Sequence, residues 1–149
     1  MALNNKFLNN SAVSNRLGFK NFVRVCDNTT GSHIQGKKKS YGKLEIFKVK
    51  TETLNKYLIK GCLVKIDAEG SEVDILTSIN KKYFKYTDFV LEINSRSNAK
   101  KIFKLSKNYK FNIFSQKVSW NLIKSEKELP SHHTEGSIFI SHDEKINWY

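Results

Sequence analysis

The pattern of apolar and polar residues changes sharply within residues 63–76. Residues 63–66 form a short apolar, β-branched run, which is typical of a strand that is buried on both faces. Acidic and turn-forming residues follow at 67–72, and apolar residues then recur at helical spacing at positions 73, 75, 76 and 79. The pattern predicts a strand, an acidic corner and a helix over 71–80. Because ligands of open α/β sheets bind at the carboxyl ends of strands, this corner is the first candidate site.

Shorter patterns predict the remaining elements. Alternating or continuous apolar residues predict strands at 19–26, 44–49, 89–93, 109–114, 120–123 and 136–140, with a short extended piece at 11–15. Helical spacing predicts the end of a helix at 3–8, a helix at 52–58 that Thr51 caps, and an amphipathic helix at 97–105. The alternation of strands and helices in the second half predicts an α/β fold whose parallel core turns antiparallel at one edge. We expect one domain that spans residues 1–149.

Composition narrows the class of protein. The 149 residues are 39% hydrophobic, which is enough for one core. The sequence has no apolar run of about 18 residues that would span a membrane, and its start lacks the apolar segment of a secretory signal. Cys26 and Cys62 each stand alone within an apolar run, which favours buried free thiols over a disulfide or a metal site. Together these features predict a cytoplasmic protein.

The net charge of +12 leaves two interpretations open. Most lysines stand singly between apolar residues, and this dispersal favours a solvated surface. The run Lys37-Lys38-Lys39, in a predicted loop, would instead suit a phosphate-rich partner such as a nucleic acid. We favour the solvated surface and keep nucleic-acid binding as the alternative.

The acidic corner and its flanks resemble the FkbM family of S-adenosylmethionine-dependent methyltransferases. The family carries an I-K-I-D-V-E-G-x-E-x-x-V-L block, and the corresponding block here is VKIDAEGSEVDIL, from Val64 to Leu76. Weaker similarities lie at 11–15, 30–34, 49–54, 89–93 and 105–114, so the resemblance covers roughly residues 3–140. It implies a Rossmann-like class I methyltransferase sheet, mostly parallel with an antiparallel edge.

The resemblance also implies the chemistry. S-adenosyl-L-methionine would be the cofactor, and the acceptor would be a hydroxyl group of a sugar or a small metabolite. Asp67 and Glu69 occupy the strand end at which such enzymes hold polar groups toward cofactor and acceptor. Either could orient an acceptor hydroxyl or take its proton, and Asp67 is also a candidate for cofactor binding. The alternative is that Asp67 caps the following helix and that Glu69 is solvated.

Three further segments supply candidates. Glu92 and Asn94 follow the next predicted strand and would face the same edge as the acidic corner if the two strands are adjacent and parallel; the alternative is a structural hydrogen bond. His33 follows a Gly-Ser pair and could act as a base, although a lone histidine is more often a surface residue. Ser14 and Asn15 match the place at which such folds meet the adenine ring, so we assign them to cofactor binding.

One expected feature is missing from the sequence. Such methyltransferases begin with a strand and a Gly-rich turn at which the backbone approaches the cofactor, and this sequence contains no G-x-G. We therefore expect an N-terminally truncated domain, either as a fragment of a longer protein or as a truncated relative. Two rival functions stay open: a non-catalytic basic module that binds nucleic acid or an anionic glycan, and a remnant without activity. His132, His133 and His142 lack a recognisable metal spacing, so we expect no metal.

Overall fold

The computed structural model describes residues 7–146. In this part of the chain nine strands form two sheets, and two α-helices and several short 3₁₀ turns connect them. The strands are β1 (Ala12–Val13), β2 (Gly18–Val25), β3 (His33–Ile34), β4 (Leu44–Glu52), β5 (Leu63–Ile66), β6 (Asp88–Glu92), β7 (Asn112–Ser115), β8 (Asn121–Leu122) and β9 (Ser137–Ser141). The helices are α1 (Glu72–Ser78) and α2 (Arg96–Tyr109).

The first sheet has the strand order β1-β4-β2-β3 and is built on one long ribbon. β2 and β4 pair antiparallel, from Gly18 opposite Thr51 to Val25 opposite Leu44. β1 adds a short parallel pair to the end of β4, and β3 adds an antiparallel pair to β2. Residues of β1 and β3 thereby come to lie near the carboxyl end of β5.

The second sheet has the order β5-β6-β9-β7-β8 and contributes most strands of the core. β5 and β6 are adjacent and parallel, as the sequence predicts for the segments that lead to Asp67 and Glu92. β9 pairs antiparallel with both β6 and β7, and β8 pairs antiparallel with β7. The carboxyl ends of β5 and β6 therefore meet at one edge of this sheet.

The prediction of a Rossmann-like, mostly parallel sheet is wrong. Residues 7–146 form two mixed sheets of four and five strands, with two α-helices. Within them, only the pairs β1–β4 and β5–β6 are parallel. Side chains alternate with a period of two in parallel and antiparallel strands alike, so the sequence pattern did not distinguish the two kinds of pairing.

The predicted helix at 52–58 is also wrong. Glu52 is the last residue of β4, and its carbonyl oxygen accepts a hydrogen bond from the backbone N–H of Ser14 at 2.8 Å. Only a 3₁₀ turn, Leu54–Lys56, follows. Pairing with β1 keeps the start of this segment extended, because tertiary contacts outweigh weak local propensity. The helix end predicted at 3–8 lies mostly outside the described residues, and residues 7–10 have no regular structure.

The core is formed by the second sheet together with α1 and α2, which pack against each other. Phe84, in the 3₁₀ turn Lys81–Lys85, stands at its aromatic centre. The ring of Phe84 stacks on Phe111, with 4.8 Å between centroids, and contacts Phe89 and Tyr109 at 5.2 and 5.4 Å. This cluster ties the segment before β6 to the end of α2.

The fold tests two predictions: the state of the two cysteines and the absence of a membrane-spanning segment. Cys26 and Cys62 are free thiols, as predicted, although each is half-buried rather than fully buried. The helices found between residues 7 and 146 are too short or too polar to cross a membrane.

Candidate functional site

A buried carboxylate holds the acidic corner in shape. Glu72 begins α1 and is only 2% exposed. Its Oε1 atom accepts hydrogen bonds from the backbone N–H groups of Ala68 at 3.2 Å and Gly70 at 2.9 Å. Its charge also complements the partial positive charge at the start of the helix. Glu72 therefore fixes the turn between β5 and α1.

The turn that Glu72 fixes has left-handed backbone at two residues, Glu69 with φ of 47° and Gly70 with φ of 97°. A Cβ atom on Gly70 would lie 2.5 Å from the carbonyl oxygen of Lys37. Glycine allows both this φ and this close approach, because it has no Cβ. Residues 36–40, which we name the lysine loop, therefore lie directly against the acidic corner.

Two lysines of this loop form ion pairs with acids of the corner and of α1. Nζ of Lys38 lies 2.6 Å from Oε2 of Glu69, and Lys37 donates a hydrogen bond to Asp74. All four side chains are between 24% and 39% exposed, so each pair contributes at most about 1 kcal/mol to stability. The run at 37–39 consequently does not present three unpaired cations to solvent.

The acidic corner forms one wall of a cavity that we name the corner cavity. It has a volume of about 520 Å³, which lies within the range of small-molecule sites. Asp67 and Glu69 line it from the corner, and His33 lines it from β3. Apolar residues of both sheets and of α1 complete much of the lining, among them Ala12, Val13, Ile34, Ile66 and Ile75. Three predicted catalytic residues thus share one cavity.

Asp67 follows β5 directly and remains half exposed. Its Oδ2 atom lies 3.4 Å from Nζ of Lys65, which is more exposed still. The N-cap residue of α1 is Ser71, and no side chain hydrogen bond caps the helix there. The alternative role of Asp67 as a helix cap is therefore wrong, and its carboxylate is open to the cavity.

His33 is 2% exposed, and its partners determine its tautomer. Nδ1 lies 2.8 Å from the carbonyl oxygen of Gly31, which can only accept a hydrogen bond, so Nδ1 carries a proton. In the neutral ring Nε2 is then an acceptor, and the Ser40 hydroxyl, 3.3 Å away, donates to it. His33 is an oriented, buried imidazole, and not the surface residue that the alternative describes.

The lining of the corner cavity also includes a buried hydroxyl without a partner. Ser71 is 2% exposed, and its Oγ atom has no hydrogen-bond partner among the described residues. Oε2 of the adjacent Glu72 has none either. Buried polar atoms are nearly always hydrogen-bonded, because leaving them unpaired costs free energy. Ser71 thus contributes to the cavity wall, while its hydroxyl oxygen itself is closed off from solvent.

Glu92 and Asn94 lie in a second cavity, of about 460 Å³, and not in the corner cavity. Parallel pairing brings the ends of β5 and β6 to one edge, as predicted, but the two carboxylates at those ends line different cavities. Glu69 lines both. Of the four predicted catalytic residues, Glu69 is therefore the one that connects the two cavities.

Ser14 and Asn15 lie beside the corner cavity rather than in its lining. Ser14 is buried, and its hydroxyl donates to Oδ1 of Asn15 at 3.2 Å. Asn15 is exposed, and the same Oδ1 atom accepts a hydrogen bond from Lys20 at 3.1 Å. Their role in cofactor binding stays a prediction.

A second buried carboxylate anchors β1 beside the cavity. Hydrogen bonds from Lys56, Tyr57 and Lys50 lower the pKa of Glu52 from 4.5 to about 2. The hydrogen bond to Glu52 in turn raises the pKa of Lys56. Glu52 is thus ionised at neutral pH, and its backbone pairs with β1, which lines the cavity.

The described residues hold no group of three His, Cys, Asp or Glu side chains that could bind a metal ion. His132 lines the second cavity and His142 is exposed near the end of β9. The side chain of His133 lies outside what the structure describes.

Sequence reasoning missed three parts of this site: the hydrogen bonds that Glu72 accepts from the turn, the burial of the Ser71 hydroxyl, and the contact of the lysine loop with the acidic corner. A usable signal existed for Glu72, since a carboxylate just after a glycine turn can reach back to the N–H groups of that turn. The lysine loop carried no such signal, because its partners lie more than 30 residues away.

Comparisons of the chain with models of protein families, with curated proteins and with solved structures found no match. The resemblance to the FkbM family therefore rests on the residues of the chain itself.

Proposed function

We propose that this protein is an O-methyltransferase of the FkbM type, which transfers a methyl group from S-adenosyl-L-methionine to a hydroxyl of a sugar or a small metabolite. The observation that carries the proposal is that Asp67, Glu69 and His33 line one cavity. His33 is more than 30 positions away from the two acids, so its presence there does not follow from the local motif.

The lining of the corner cavity suits a cationic ligand that also carries hydroxyl groups. The carboxylates of Asp67 and Glu69 complement a positive charge, and that of Asp67 can also accept hydrogen bonds from ribose hydroxyls. The apolar part of the lining suits a purine ring. These residues fit the adenosine and sulfonium parts of S-adenosylmethionine.

The cofactor, when bound, supplies a methyl group activated by a cationic sulfur. Glu69 is best placed to act on the acceptor, because it reaches both the corner cavity and the polar second cavity. With the cofactor bound, the carboxylate of Glu69 would accept the proton of the acceptor hydroxyl. Asp67 would bind the cofactor from the cavity wall, and the ion pair with Lys38 holds Glu69 in place.

The first test is binding of S-adenosylhomocysteine, the product of methyl donation, measured by isothermal titration calorimetry. We expect Asp67→Asn to weaken binding about 10- to 100-fold, since a hydrogen bond to a charged group contributes about 1.5–3 kcal/mol. Asp143→Asn, which removes an exposed carboxylate outside the cavity, should bind as the wild type does. No binding by the wild-type protein would refute the proposal.

A second test separates proton transfer from binding. With tritiated S-adenosylmethionine and a panel of monosaccharides, we expect Glu69→Gln to abolish methylation while S-adenosylhomocysteine binding is retained. Methylation at the wild-type rate by Glu69→Gln would contradict the role of this residue.

The rival interpretation, a basic module that binds through the lysine run, gains no support from the loop itself. Lys37 and Lys38 are paired with Asp74 and Glu69. A polyanion could engage them only by breaking these pairs, and this would also open the acidic corner.

A further inference from the structure

A cluster of unpaired lysines lies at the opposite edge of the second sheet from the corner cavity. The cluster surrounds a hollow of about 300 Å³, which we name the basic hollow. It is lined by Lys81, Lys82, Phe84, Lys85, Tyr86, Tyr109, Lys110 and His142. The 3₁₀ turn before β6, the end of α2 and the residue after β9 all supply lining, so the hollow lies at the amino end of β6.

The charge of this hollow is not neutralised within the described part of the chain. Its lining contains no carboxylate. None of its four lysines belongs to an ion pair there, whereas Lys37, Lys38, Lys56 and Lys117 elsewhere each have a carboxylate partner. Four ammonium groups around one concavity repel each other, and a bound anion relieves this repulsion.

Aromatic residues also line the hollow. Phe84 is buried beneath it, and Tyr86 remains 44% exposed. Nζ of Lys85 and Nζ of Lys60 each lie 5.6 Å from the centroid of the Tyr86 ring, so the positive surface extends beyond the hollow. Proteins that hold single-stranded nucleic acids combine accessible aromatic rings, on which bases stack, with cations that pair with phosphates, and Tyr86 among these lysines offers one such ring.

We propose that the basic hollow binds the phosphate backbone of a single-stranded nucleic acid. The concave shape and the exposed tyrosine favour this partner over an anionic membrane, which would meet a flat face with apolar side chains that insert. The spread of positive charge to Lys60 favours a chain of phosphates over a single one. The proposal does not depend on methyl transfer, because the hollow and the corner cavity share no lining residue.

The test is fluorescence anisotropy of a labelled 12-nucleotide oligouridylate across a series of salt concentrations. The triple variant K81E/K82E/K85E is compared with K100E/K101E/K104E, which changes the net charge equally on the exposed side of α2. We expect the hollow variant to weaken binding at least about 10-fold and to reduce the slope of log K against log salt by about 2, for three lost phosphate contacts. The α2 variant should change affinity much less, because Lys100, Lys101 and Lys104 do not line the hollow.

A milder pair, K82Q/K85Q, keeps the test valid if the triple variant unfolds, which circular dichroism would detect. Equal losses for the hollow and α2 variants would refute the proposal, because general charge would then explain binding. Binding to phosphatidylserine vesicles without binding to the oligonucleotide would also overturn it. The proposal would also be overturned if uridine monophosphate competed as effectively, per phosphate, as the unlabelled oligonucleotide does. A site for a single phosphate would then explain the binding.

Discussion

Gly70→Ala tests whether the lysine loop closes on the acidic corner, the contact on which the shape of the candidate site depends. The new Cβ atom would lie 2.5 Å from the backbone carbonyl oxygen of Lys37, and φ at this position is 97°. The atom it meets is main chain, so no side-chain rotation relieves the clash. The loop has to move, and the ion pairs of Lys37 and Lys38 move with it.

The expected loss of stability has separable parts. An L-residue in the left-handed region costs about 1–2 kcal/mol. Gly61→Ala carries this cost alone, because Gly61 has φ of 77° and no atom lies within 4 Å of the added Cβ. Loss of two partly exposed ion pairs adds up to about 1 kcal/mol each in Gly70→Ala. We therefore expect losses of about 1–4 kcal/mol for Gly70→Ala and about 1–2 kcal/mol for Gly61→Ala, with the larger loss in Gly70→Ala.

Urea unfolding followed by circular dichroism measures both losses, provided that the slope against urea concentration is unchanged. Trypsin provides a local readout, because a released loop is cleaved after Lys37 and Lys38 faster than a docked one. Faster cleavage at these sites is expected in Gly70→Ala and not in Gly61→Ala. Equal losses of stability in the two variants would refute the close approach of the loop to the corner.

Three other predictions concern Glu72, Phe84 and the pair of acids Glu52 and Glu135. Glu72→Ala removes the acceptor of two backbone N–H groups and should lower the free energy of unfolding by about 1–3 kcal/mol. Glu72→Gln keeps an acceptor oxygen, so its free energy of unfolding should fall less. Equal losses in the two variants would contradict the hydrogen-bonding role of Glu72. Phe84→Ala empties the aromatic centre of the core and should cost about 3–5 kcal/mol in urea unfolding, so an unchanged midpoint would contradict the packing. The third prediction concerns pH. Hydrogen bonds, chiefly from Lys117, lower the pKa of Glu135 to about 2, and the pKa of Glu52 is lowered to about the same value. Both acids therefore add stability that is present above pH 4.5 and is lost as the pH falls toward 2. Thermal unfolding across this window should show the loss, and Glu52→Gln should reduce it; a flat profile in the wild type would show that neither acid is stabilised by folding.

The elements nearest the candidate site could be predicted because their signals are local. The acidic corner was predicted between a strand at 63–66 and a helix at 71–80, and the structure has β5 at Leu63–Ile66 and α1 at Glu72–Ser78. The helix predicted at 97–105 is longer, because Ser95 caps it and its last turn runs to Tyr109. Apolar spacing, turn residues and caps act within a few positions, so they can be recognised in the sequence without knowledge of the fold.

The pairing of strands could not be predicted from the sequence in this way. The segments at 19–26 and 44–49 were predicted correctly as strands, but their antiparallel pairing into a ribbon was not predicted. Glu52 shows the same limit, since it was assigned to a helix and instead ends β4. Its extended backbone results from pairing with β1, a partner about 40 residues earlier in the chain.

By itself, the sequence determined the acidic corner, with Asp67 and Glu69 between a strand and a helix, because these conformations depend on neighbouring residues. The tertiary structure decided what faces that corner. It placed His33 in the same cavity, put Glu92 in another, and closed the lysine loop through ion pairs that span 37 and 31 residues. Contacts of this kind depend on how distant strands pair, and an apolar pattern that is identical for both directions of pairing does not contain that information.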